Sequence, residues 1–244
     1  MKKKIVFISG SSSGLGFELS KYFCKENYIV IMNGRDRKKV VNASKKIKNS
    51  YIAHGDLGVE SDCKKVFKKI KKKFSRIDLI ICNAGVSNFK NTNDNYLYAF
   101  KNNLFNTINT INYLKTFLQK SYSDIICISS ICGVENIIDA PKGYSLAKYA
   151  LNQYVKLVSR DLAKKKIKIN SISPGNIMFK NSVWEKKLFK NRKKTMQFLN
   201  NEVPLKSFIL PKNIYELIKF IIKEDNNLIT GSNFVIDAGQ TKNL

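Results

Sequence analysis

Two tyrosines in this sequence stand four residues before a lysine, a spacing that brings both side chains onto one face of a helix. The pairs are Tyr144 with Lys148 in GYSLAKYAL and Tyr215 with Lys219 in IYELIK. A free phenol has a pKa of about 10, which is too high for efficient proton exchange near neutral pH. A cation one helical turn away favours the phenolate, so we expect it to lower the pKa of the tyrosine and make it a proton-transfer group.

The surroundings of the two pairs distinguish them. Tyr144 follows a loop that leaves Ser130 at the end of a strand, on the side of the sheet where open α/β folds bind ligands. Tyr215 lies in a late helix among apolar residues, where we expect no other polar group to converge. We therefore predict that Tyr144 is catalytic and that Tyr215 is structural.

The elements that position these residues alternate between short β-rich runs and helical patterns over residues 1–244. Several of the runs are apolar on both faces, which is typical of strands inside a parallel sheet. The predicted strands are Ile5–Ser9, Ile29–Asn33, Tyr51–His54, Leu79–Cys82, Asp124–Ser129, Lys168–Ser173 and Asn233–Ile236. The predicted helices are Leu15–Glu26, Lys38–Lys48, Ser61–Phe74, Tyr96–Lys120, Gly143–Lys164 and Pro211–Lys223. The pattern predicts a single α/β domain with a Rossmann-like, doubly wound parallel sheet of about seven strands and helices on both faces.

One segment, residues 178–210, stands outside this alternation and contains a predicted helix at Val183–Asn200. Its large side chains follow a helical rhythm: Trp184, Phe189, Met196, Phe198 and Leu199. The segment is interpreted either as a lid over a substrate or as a packed helix with an oligomer contact.

The stretch VFISGSSSGLGFELS predicts a strand, a glycine-rich turn and the start of a helix. Gly10, Gly14 and Gly16 let the backbone turn tightly and bring a phosphate against the free N–H groups at the helix N-terminus. The order of strand, turn and helix is the context that a dinucleotide-binding motif requires. An ordinary glycine turn is the alternative interpretation.

Several ordered motifs resemble the short-chain dehydrogenase/reductase family over nearly the whole chain. SGSSSGLG has the glycine spacing of the family, and CNAG, with Asn83, Ala84 and Gly85, follows the fourth strand. ISS ends the fifth strand, YSLAK begins the next long helix, SPGNI follows the sixth strand, and the likeness continues through LITGSNFVIDAGQ.

This resemblance implies roles for four residues. Tyr144 would exchange a proton with a carbonyl or alcohol oxygen while a hydride moves to or from nicotinamide, and Lys148 would also hold the ribose hydroxyls. Ser130 would hydrogen-bond the substrate oxygen and stabilise its developing charge. Asn103 matches the asparagine that supports a water-linked proton relay in the family, and the neighbouring Asn102 leaves the register open.

The same resemblance predicts a set of cofactor-binding residues: Gly10, Ser12, Ser13, Gly14, Leu15, Gly16, Arg35, Asp56, Leu57, Asn83, Ala84, Gly85, Tyr144, Lys148, Pro174, Gly175 and Ile177. Within this set Asp56 is interpreted as an aspartate that contacts adenine, with a turn-capping role as the alternative. Phe179 stands where family members often have a threonine that contacts the nicotinamide amide, so that contact is in question.

The residues after the second strand, MNGRDRK, predict NADP(H) in preference to NAD(H). A fold that prefers NAD places an acid at the end of this strand, where it binds the ribose hydroxyls and repels a 2′-phosphate. Gly34 occupies that position here, and Arg35 follows with a planar cation suited to phosphate. Two alternatives remain: Asp36 reaches the ribose and selects NAD, or Arg35 only caps the next helix.

The net charge of +26 raises the hypothesis of a nucleic-acid binder. In SDCKKVFKKIKKKF, however, apolar residues recur every four positions with lysines between them, which is typical of an amphipathic helix with a solvated face. We therefore expect neither nucleic acid nor membrane as a partner. Five cysteines without metal-ligand spacing indicate a reduced, cytoplasmic protein with no metal site, and the single histidine, His54, lacks partners for a triad or a zinc site.

These observations predict an NADP(H)-dependent carbonyl reductase or alcohol dehydrogenase. The stretches PGNIMF and VWEKK and the ending DAGQT resemble family members of sugar or surface-glycan pathways, which favours a substrate of that kind. An alternative substrate is a 3-oxoacyl thioester, whose acidic carrier protein would dock on the basic surface. An alternative of another class is a catalytically silent nucleotide-binding protein. The resemblance to the family also implies a homodimer or homotetramer formed through the long helices, whose extra apolar residues include Phe100, Leu104, Ile108, Ile111, Tyr154, Val155 and Val158.

Overall fold

In a computed structural model of the chain, residues 3–87, 92–115, 117–118 and 123–242 are described. They form a parallel sheet with the strand order β3-β2-β1-β4-β5-β6-β7. The strands are β1 (Ile5–Ile8), β2 (Ile29–Gly34), β3 (Ser50–His54), β4 (Leu79–Cys82), β5 (Ser123–Ile128), β6 (Ile167–Pro174) and β7 (Asn233–Ile236). The helices are α1 (Gly14–Lys25), α2 (Arg37–Ser44), α3 (Glu60–Lys73), α4 (Asn93–Phe100), α5 (Asn106–Leu114), α6 (Lys142–Ala163), α7 (Val183–Lys190), α8 (Arg192–Glu202) and α9 (Pro211–Ile221).

Alternate side chains of the central strands enter two different core layers, as the pleat of a strand dictates. In β1, Ile5 and Phe7 pack with α3, α5 and α6 on one face of the sheet. Val6 and Ile8 pack with α1, α2 and α9 on the other face. Both faces are therefore covered by helices, and the predicted doubly wound α/β fold is confirmed.

The strand order reverses direction between β1 and β4, which are neighbours in the sheet. At such a switch point the loops that follow the two strands diverge and leave a crevice at their carboxyl ends. The glycine turn after β1, the Asn83 segment after β4 and the Ser130 loop after β5 all begin at this edge of the sheet.

Two of the predicted helices are wrong in their continuity. The helix predicted at Tyr96–Lys120 consists of α4, a π-helical turn at Lys101–Phe105 and α5, while Lys120 itself lies outside the described residues. The helix predicted at Val183–Asn200 is divided into α7 and α8, because Asn191 adopts an extended backbone and caps α8 by accepting a hydrogen bond from Lys194 N. Asparagine side chains compete for backbone partners and so interrupt or begin helices.

The helices of the described part of the chain include none with the length and low polarity required to cross a bilayer. The cysteines, Cys24, Cys63, Cys82, Cys127 and Cys132, are free thiols.

Candidate active site

A groove of about 450 Å³ lies at the switch point. It is lined by most of the predicted cofactor-binding and catalytic residues: Gly10, Ser12, Ser13, Gly14, Leu15, Arg35, Asp56, Leu57, Asn83, Ala84, Gly85, Asn103, Tyr144, Lys148 and Ile177. It is also lined by residues that sequence reasoning did not assign to the site, among them Asn102, Asn106 and Ile128. The fold therefore brings together segments that are separated by more than a hundred positions in the chain.

Four predicted site residues are not part of the groove lining. Gly16 packs below the glycine turn, where a Cβ would lie 2.6 Å from Gly10 O. Ser130 is buried behind the lining and reaches Tyr144 through a side-chain hydrogen bond. Pro174 ends β6, and Gly175 N donates to Ile236 O of β7 at 2.9 Å. The structure does not bring Pro174 and Gly175 to the groove, because they are engaged in joining β6 to β7.

The glycine turn is shaped for close approach of its backbone. Gly10 has a φ of +63°, and a Cβ there would lie 2.8 Å from the Ala84 Cα, so no other residue fits without a shift. Ser9 Oγ accepts hydrogen bonds from Asn83 N and Ala84 N, each at 2.9 Å, which ties the segment after β4 to this turn. Ser13 begins α1 without a side-chain cap, so the first N–H groups of α1 are available to an anion.

Asn103 lines the groove from the π-helical turn and is fully buried. Its Nδ2 donates to Val86 O and to Ala99 O, each at 2.9 Å, and its Oδ1 accepts from Val86 N at 3.0 Å. A Cβ on Gly85 would lie 2.8 Å from Asn103 Oδ1 and 3.5 Å from Lys148 Nζ. Asn103 and Lys148 therefore flank Gly85, whereas the neighbouring Asn102 contacts Arg35 at the far end of the groove.

Tyr144 and Lys148 stand in the first two turns of α6. Lys148 is 3% exposed, its Nζ donates to Ile128 O at 2.8 Å, and this nitrogen lies 5.7 Å from the centroid of the Tyr144 ring. Burial lowers the pKa of Lys148 to about 8. Burial raises the pKa of Tyr144, and a hydrogen bond with Ser130 acts in the opposite direction. The pKa of Tyr144 is thus raised overall, where we expected it to be lowered, because desolvation of the phenolate dominates.

Ser130 reaches this pair through a tight turn at Ile131–Gly133 that follows β5. Ser130 Oγ accepts a hydrogen bond from Cys132 N at 3.2 Å and so begins the turn. A Cβ on Gly133 would lie 2.6 Å from the Lys148 carbonyl carbon, so the turn packs directly on the backbone of α6. This close packing sets Ser130 beside Tyr144 although 14 positions separate them in the sequence.

The second tyrosine–lysine pair has a similar internal geometry in a different setting. Lys219 Nζ lies 5.9 Å from the centroid of the Tyr215 ring. Tyr215 is buried, however, and its ring centroid lies 4.9 Å from that of Tyr22 and 5.2 Å from that of Phe23. Lys219 forms an ion pair with Glu26 at 3.0 Å. Tyr215 therefore belongs to the core between α1 and α9, outside the groove.

At the other end of the groove, Asp36 and Arg35 follow β2. Asp36 Oδ1 accepts a hydrogen bond from Lys39 N at 3.0 Å and caps α2, so Asp36, and not Arg35, is the capping residue. Arg35 lines the groove, and its backbone oxygen contacts His54 Nε2 at 3.0 Å. Asp36, which was the alternative ribose-binding acid of an NAD site, thus caps α2.

Asp56 has the geometry of the turn cap that was its alternative interpretation. Its Oδ1 accepts a hydrogen bond from Gly58 N at 2.9 Å, and its Oδ2 lies 3.7 Å from Lys101 Nζ. Asp56 also lines the groove. The cap therefore holds the carboxylate at the wall of the site.

Phe179 replaces the expected threonine with an aromatic ring in the groove wall. A Cβ on Gly14 would lie 3.3 Å from this ring, so Phe179 covers the glycine turn. The next helices pack through Trp184, whose ring centroid lies 5.0 Å from that of Phe198 and 5.7 Å from that of Phe208. The segment after Phe179 is thus folded around its own aromatic cluster beside the groove.

Known proteins resemble this chain along almost its full length. A family model described as enoyl-(acyl carrier protein) reductase matches residues 10–241. The 3-oxoacyl-[acyl-carrier-protein] reductase FabG of Rickettsia conorii is 26% identical over 247 residues, which cover 97% of this chain and 96% of the relative. Glucose 1-dehydrogenase of Gluconobacter oxydans is 26% identical over 251 residues, which cover 98% of this chain and 92% of the relative.

Among solved structures, L-sorbose reductase of Gluconobacter frateurii, complexed with NADPH and L-sorbose, has a TM-score of 0.91 and 21% identity. The match covers 100% of this chain and 98% of that chain. At this level of identity the likeness is one of fold.

Proposed function

The chain belongs to the short-chain dehydrogenase/reductase family and is an oxidoreductase of that type, and from this premise we propose that it reduces a carbonyl group, or oxidises the corresponding secondary alcohol, with NADP(H). The observation that carries the proposal is the convergence of Ser130, Tyr144, Lys148 and Asn103 around one end of the groove that begins at the glycine turn.

The described residues fit a dinucleotide with a 2′-phosphate. The glycine turn approaches Ala84 too closely for a side chain at Gly10, and the first N–H groups of α1 are available to a diphosphate. Gly34 leaves the end of β2 without an acid, Asp36 is turned to α2, and Arg35 supplies a cation. When bound, the nicotinamide ring supplies or accepts the hydride.

Tyr144 is the proton donor of this proposal. Burial raises the pKa of its phenol, so the group keeps its proton at neutral pH and suits the reductive direction. Ser130 hydrogen-bonds the substrate oxygen and holds it against the phenol. Lys148 binds the ribose hydroxyls, and Asn103 holds the backbone at Val86 so that the wall beside Lys148 keeps its shape.

The substrate class is proposed as a small keto sugar or a related polyol. The likeness to glucose 1-dehydrogenase and to L-sorbose reductase supports this class. A second candidate is a 3-oxoacyl thioester, supported by the likeness to FabG and by a net charge of +26 that would attract an acidic carrier protein. Residues 178–210 are proposed as the lid over this substrate, because Phe179 at the start of the segment and Ile177 just before it line the groove.

We also propose a single-domain, cytoplasmic homodimer or homotetramer. Among the residues expected to face a second copy, Leu104, Ile111 and Val155 are buried in the core, whereas the others remain partly buried: Phe100, Ile108, Tyr154 and Val158. Exposed apolar side chains elsewhere on α6 extend this surface in the proposal: Leu146, Tyr149 and Leu157. Five free thiols are typical of a reducing compartment.

The proposal is tested by following NADPH oxidation by the purified protein with three carbonyl substrates: L-sorbose, an acetoacetyl thioester and a quinone. We expect turnover with the keto sugar above that with the other two. If turnover is highest with the thioester, the second candidate, a 3-oxoacyl thioester, is favoured as the substrate. Tight NADPH binding without oxidation by any substrate would favour a catalytically silent nucleotide-binding protein.

A further inference from the structure

We infer that Asn102 is a positioning residue that holds the Arg35 guanidinium for the 2′-phosphate of NADPH and thereby contributes to cofactor selectivity. The inference rests on the proposed use of NADPH and deepens it. Its starting point is one contact: Arg35 Nη1 donates to Asn102 Oδ1 at 2.6 Å, although the residues are 67 positions apart in the chain. Both residues line the groove.

Asn102 is a fixed acceptor. Its side chain is buried, and its Nδ2 donates to Tyr98 O at 2.8 Å. Because a carbonyl oxygen can only accept, this bond requires the nitrogen on that side and turns Oδ1 towards Arg35. The backbone oxygen of Asn102 accepts from Asn106 Nδ2 at 2.5 Å, which further fixes the π-helical turn. Such turns occur frequently at functional sites.

The positive charge of Arg35 is not neutralised by the residues that hold its side chain and backbone. Its backbone oxygen is fixed by His54 Nε2, and the neighbouring Asp36 carboxylate is turned to Lys39 N. In the part of the chain that the structure describes, no carboxylate forms an ion pair with Arg35. The bond to Asn102 uses one of the five N–H donors of the guanidinium, so four remain for a phosphate.

A neutral acceptor suits this task better than the alternatives. An alkyl side chain at position 102 would leave the exposed Arg35 free to sample many rotamers, and a phosphate would then have to order it at an entropic cost. A carboxylate would pair with Arg35 and repel the 2′-phosphate at short range. An amide oxygen orients the guanidinium and leaves its charge available.

The test is a double-mutant cycle on cofactor affinity with Arg35→Ala and Asn102→Ala. Dissociation constants for NADPH and NADH are measured by fluorescence titration. In the wild-type background we expect Asn102→Ala to raise the dissociation constant for NADPH by about fivefold. The dissociation constant for NADH is expected to change by less than about twofold. In the Arg35→Ala background the same change is expected to have almost no effect on NADPH, because its partner is gone.

A second variant, Asn102→Asp, keeps the shape of the side chain, adds a negative charge and replaces the Nδ2 donor to Tyr98 O by an oxygen. We expect Asn102→Asp to weaken the affinity for NADPH more than Asn102→Ala does, by about tenfold or more, and to leave the affinity for NADH nearly unchanged. Asn42→Asp is the matched control, since it adds the same charge at an exposed position of the adjacent α2. The control is expected to change the NADPH affinity by less than about twofold.

Equal losses for NADPH and NADH in Asn102→Ala and Asn102→Asp would overturn the inference and assign Asn102 to the shape of the groove alone. The inference would also be overturned if Asn102→Ala weakened the affinity for NADPH as much in the Arg35→Ala background as in the wild-type background. In both cases the proposed function is still supported if Arg35→Ala weakens the affinity for NADPH and leaves the affinity for NADH nearly unchanged. Equal wild-type affinities for NADPH and NADH would contradict the proposed cofactor preference and, with it, this inference.

Discussion

Replacing Lys148 by methionine is expected to stabilise the protein while it removes the activity. Lys148 is 3% exposed, and burial lowers its pKa from an ordinary value of 10.5 to about 8. At about 1.4 kcal/mol for each pKa unit, keeping this side chain charged at pH 7 costs the folded state about 3 kcal/mol. Methionine keeps the apolar stem and has no charge to bury.

The gain is reduced by one lost hydrogen bond. Lys148 Nζ donates to Ile128 O at 2.8 Å, and the loss of this bond costs about 1 kcal/mol. We therefore expect Lys148→Met to be about 2 kcal/mol more stable at pH 7, which corresponds to a rise in Tm of about 6 °C for a chain of this size. Cofactor binding and turnover are both expected to fall, since the cation that holds the ribose is gone.

The pH dependence identifies the cause. The folded protein binds the Lys148 proton less tightly than the unfolded chain does, so the penalty is fully present below about pH 8. It is relieved as the pH rises from about 8 towards 10.5, and the advantage of methionine should vanish over that window. The assay is urea unfolding of both proteins at pH 7 and at about pH 10.

Lys219→Met is the matched control, because Lys219 lies over Tyr215 with similar geometry but has a side chain that is 37% exposed. Its stability is expected to change by less than about 0.5 kcal/mol at pH 7. A Lys148→Met protein that is less stable than wild type at pH 7 would refute the reasoning. So would a difference in stability that is the same at both pH values.

Two further predictions concern the cofactor and the assembly. Gly34→Asp places an acid at the end of β2, where its Cβ would lie 3.1 Å from the Ser12 side chain and 3.4 Å from Val40 Cβ, and should shift the preference from NADPH to NADH. Titration of both cofactors measures this, and an unchanged preference would count against the proposed NADPH site. Leu146, Tyr149 and Leu157 lie along one stripe of α6, so light scattering should give a dimer or tetramer for wild type and a smaller species for Leu157→Glu. A monomeric wild type at micromolar concentration would remove the proposed assembly.

The central strands were predictable because they are short runs that must be buried on both faces, unlike the edge strands β3 and β7. In β1 and β4 all four residues are buried, so the apolar sequence alone marks both elements. The doubly wound arrangement followed from the alternation with helices and from the rules of handedness. The glycine turn was predictable because a strand precedes its three glycines and a helix follows them, which is the context that a dinucleotide-binding motif requires.

The break in the predicted long helix was not predictable from periodicity. Asn102, Asn103 and Asn106 each donate from Nδ2 to the backbone oxygen four residues earlier, at Tyr98, Ala99 and Asn102. These side chains compete with the backbone for the carbonyls of the helix, and the π-helical turn forms where they do so. The density of asparagine in KNNLFN was the available signal.

The contact between Arg35 and Asn102 was beyond reach of the sequence for a different reason. It depends on how close the π-helical turn lies to the residue that follows β2, which spacing along the chain does not determine. The pKa of Tyr144 was misjudged in the same way, because the helical spacing predicts a nearby cation and says nothing of burial.

The most direct test of the account compares Tyr144→Phe with Tyr215→Phe. Both changes remove one hydroxyl and keep the ring, and both tyrosines stand four residues before a lysine that lies over the ring. NADPH binding and the rate of NADPH oxidation are measured for each variant with the best substrate. The account predicts that Tyr144→Phe binds NADPH normally and loses nearly all turnover, while Tyr215→Phe keeps wild-type turnover. An active Tyr144→Phe protein, or an inactive but folded Tyr215→Phe protein, would contradict it.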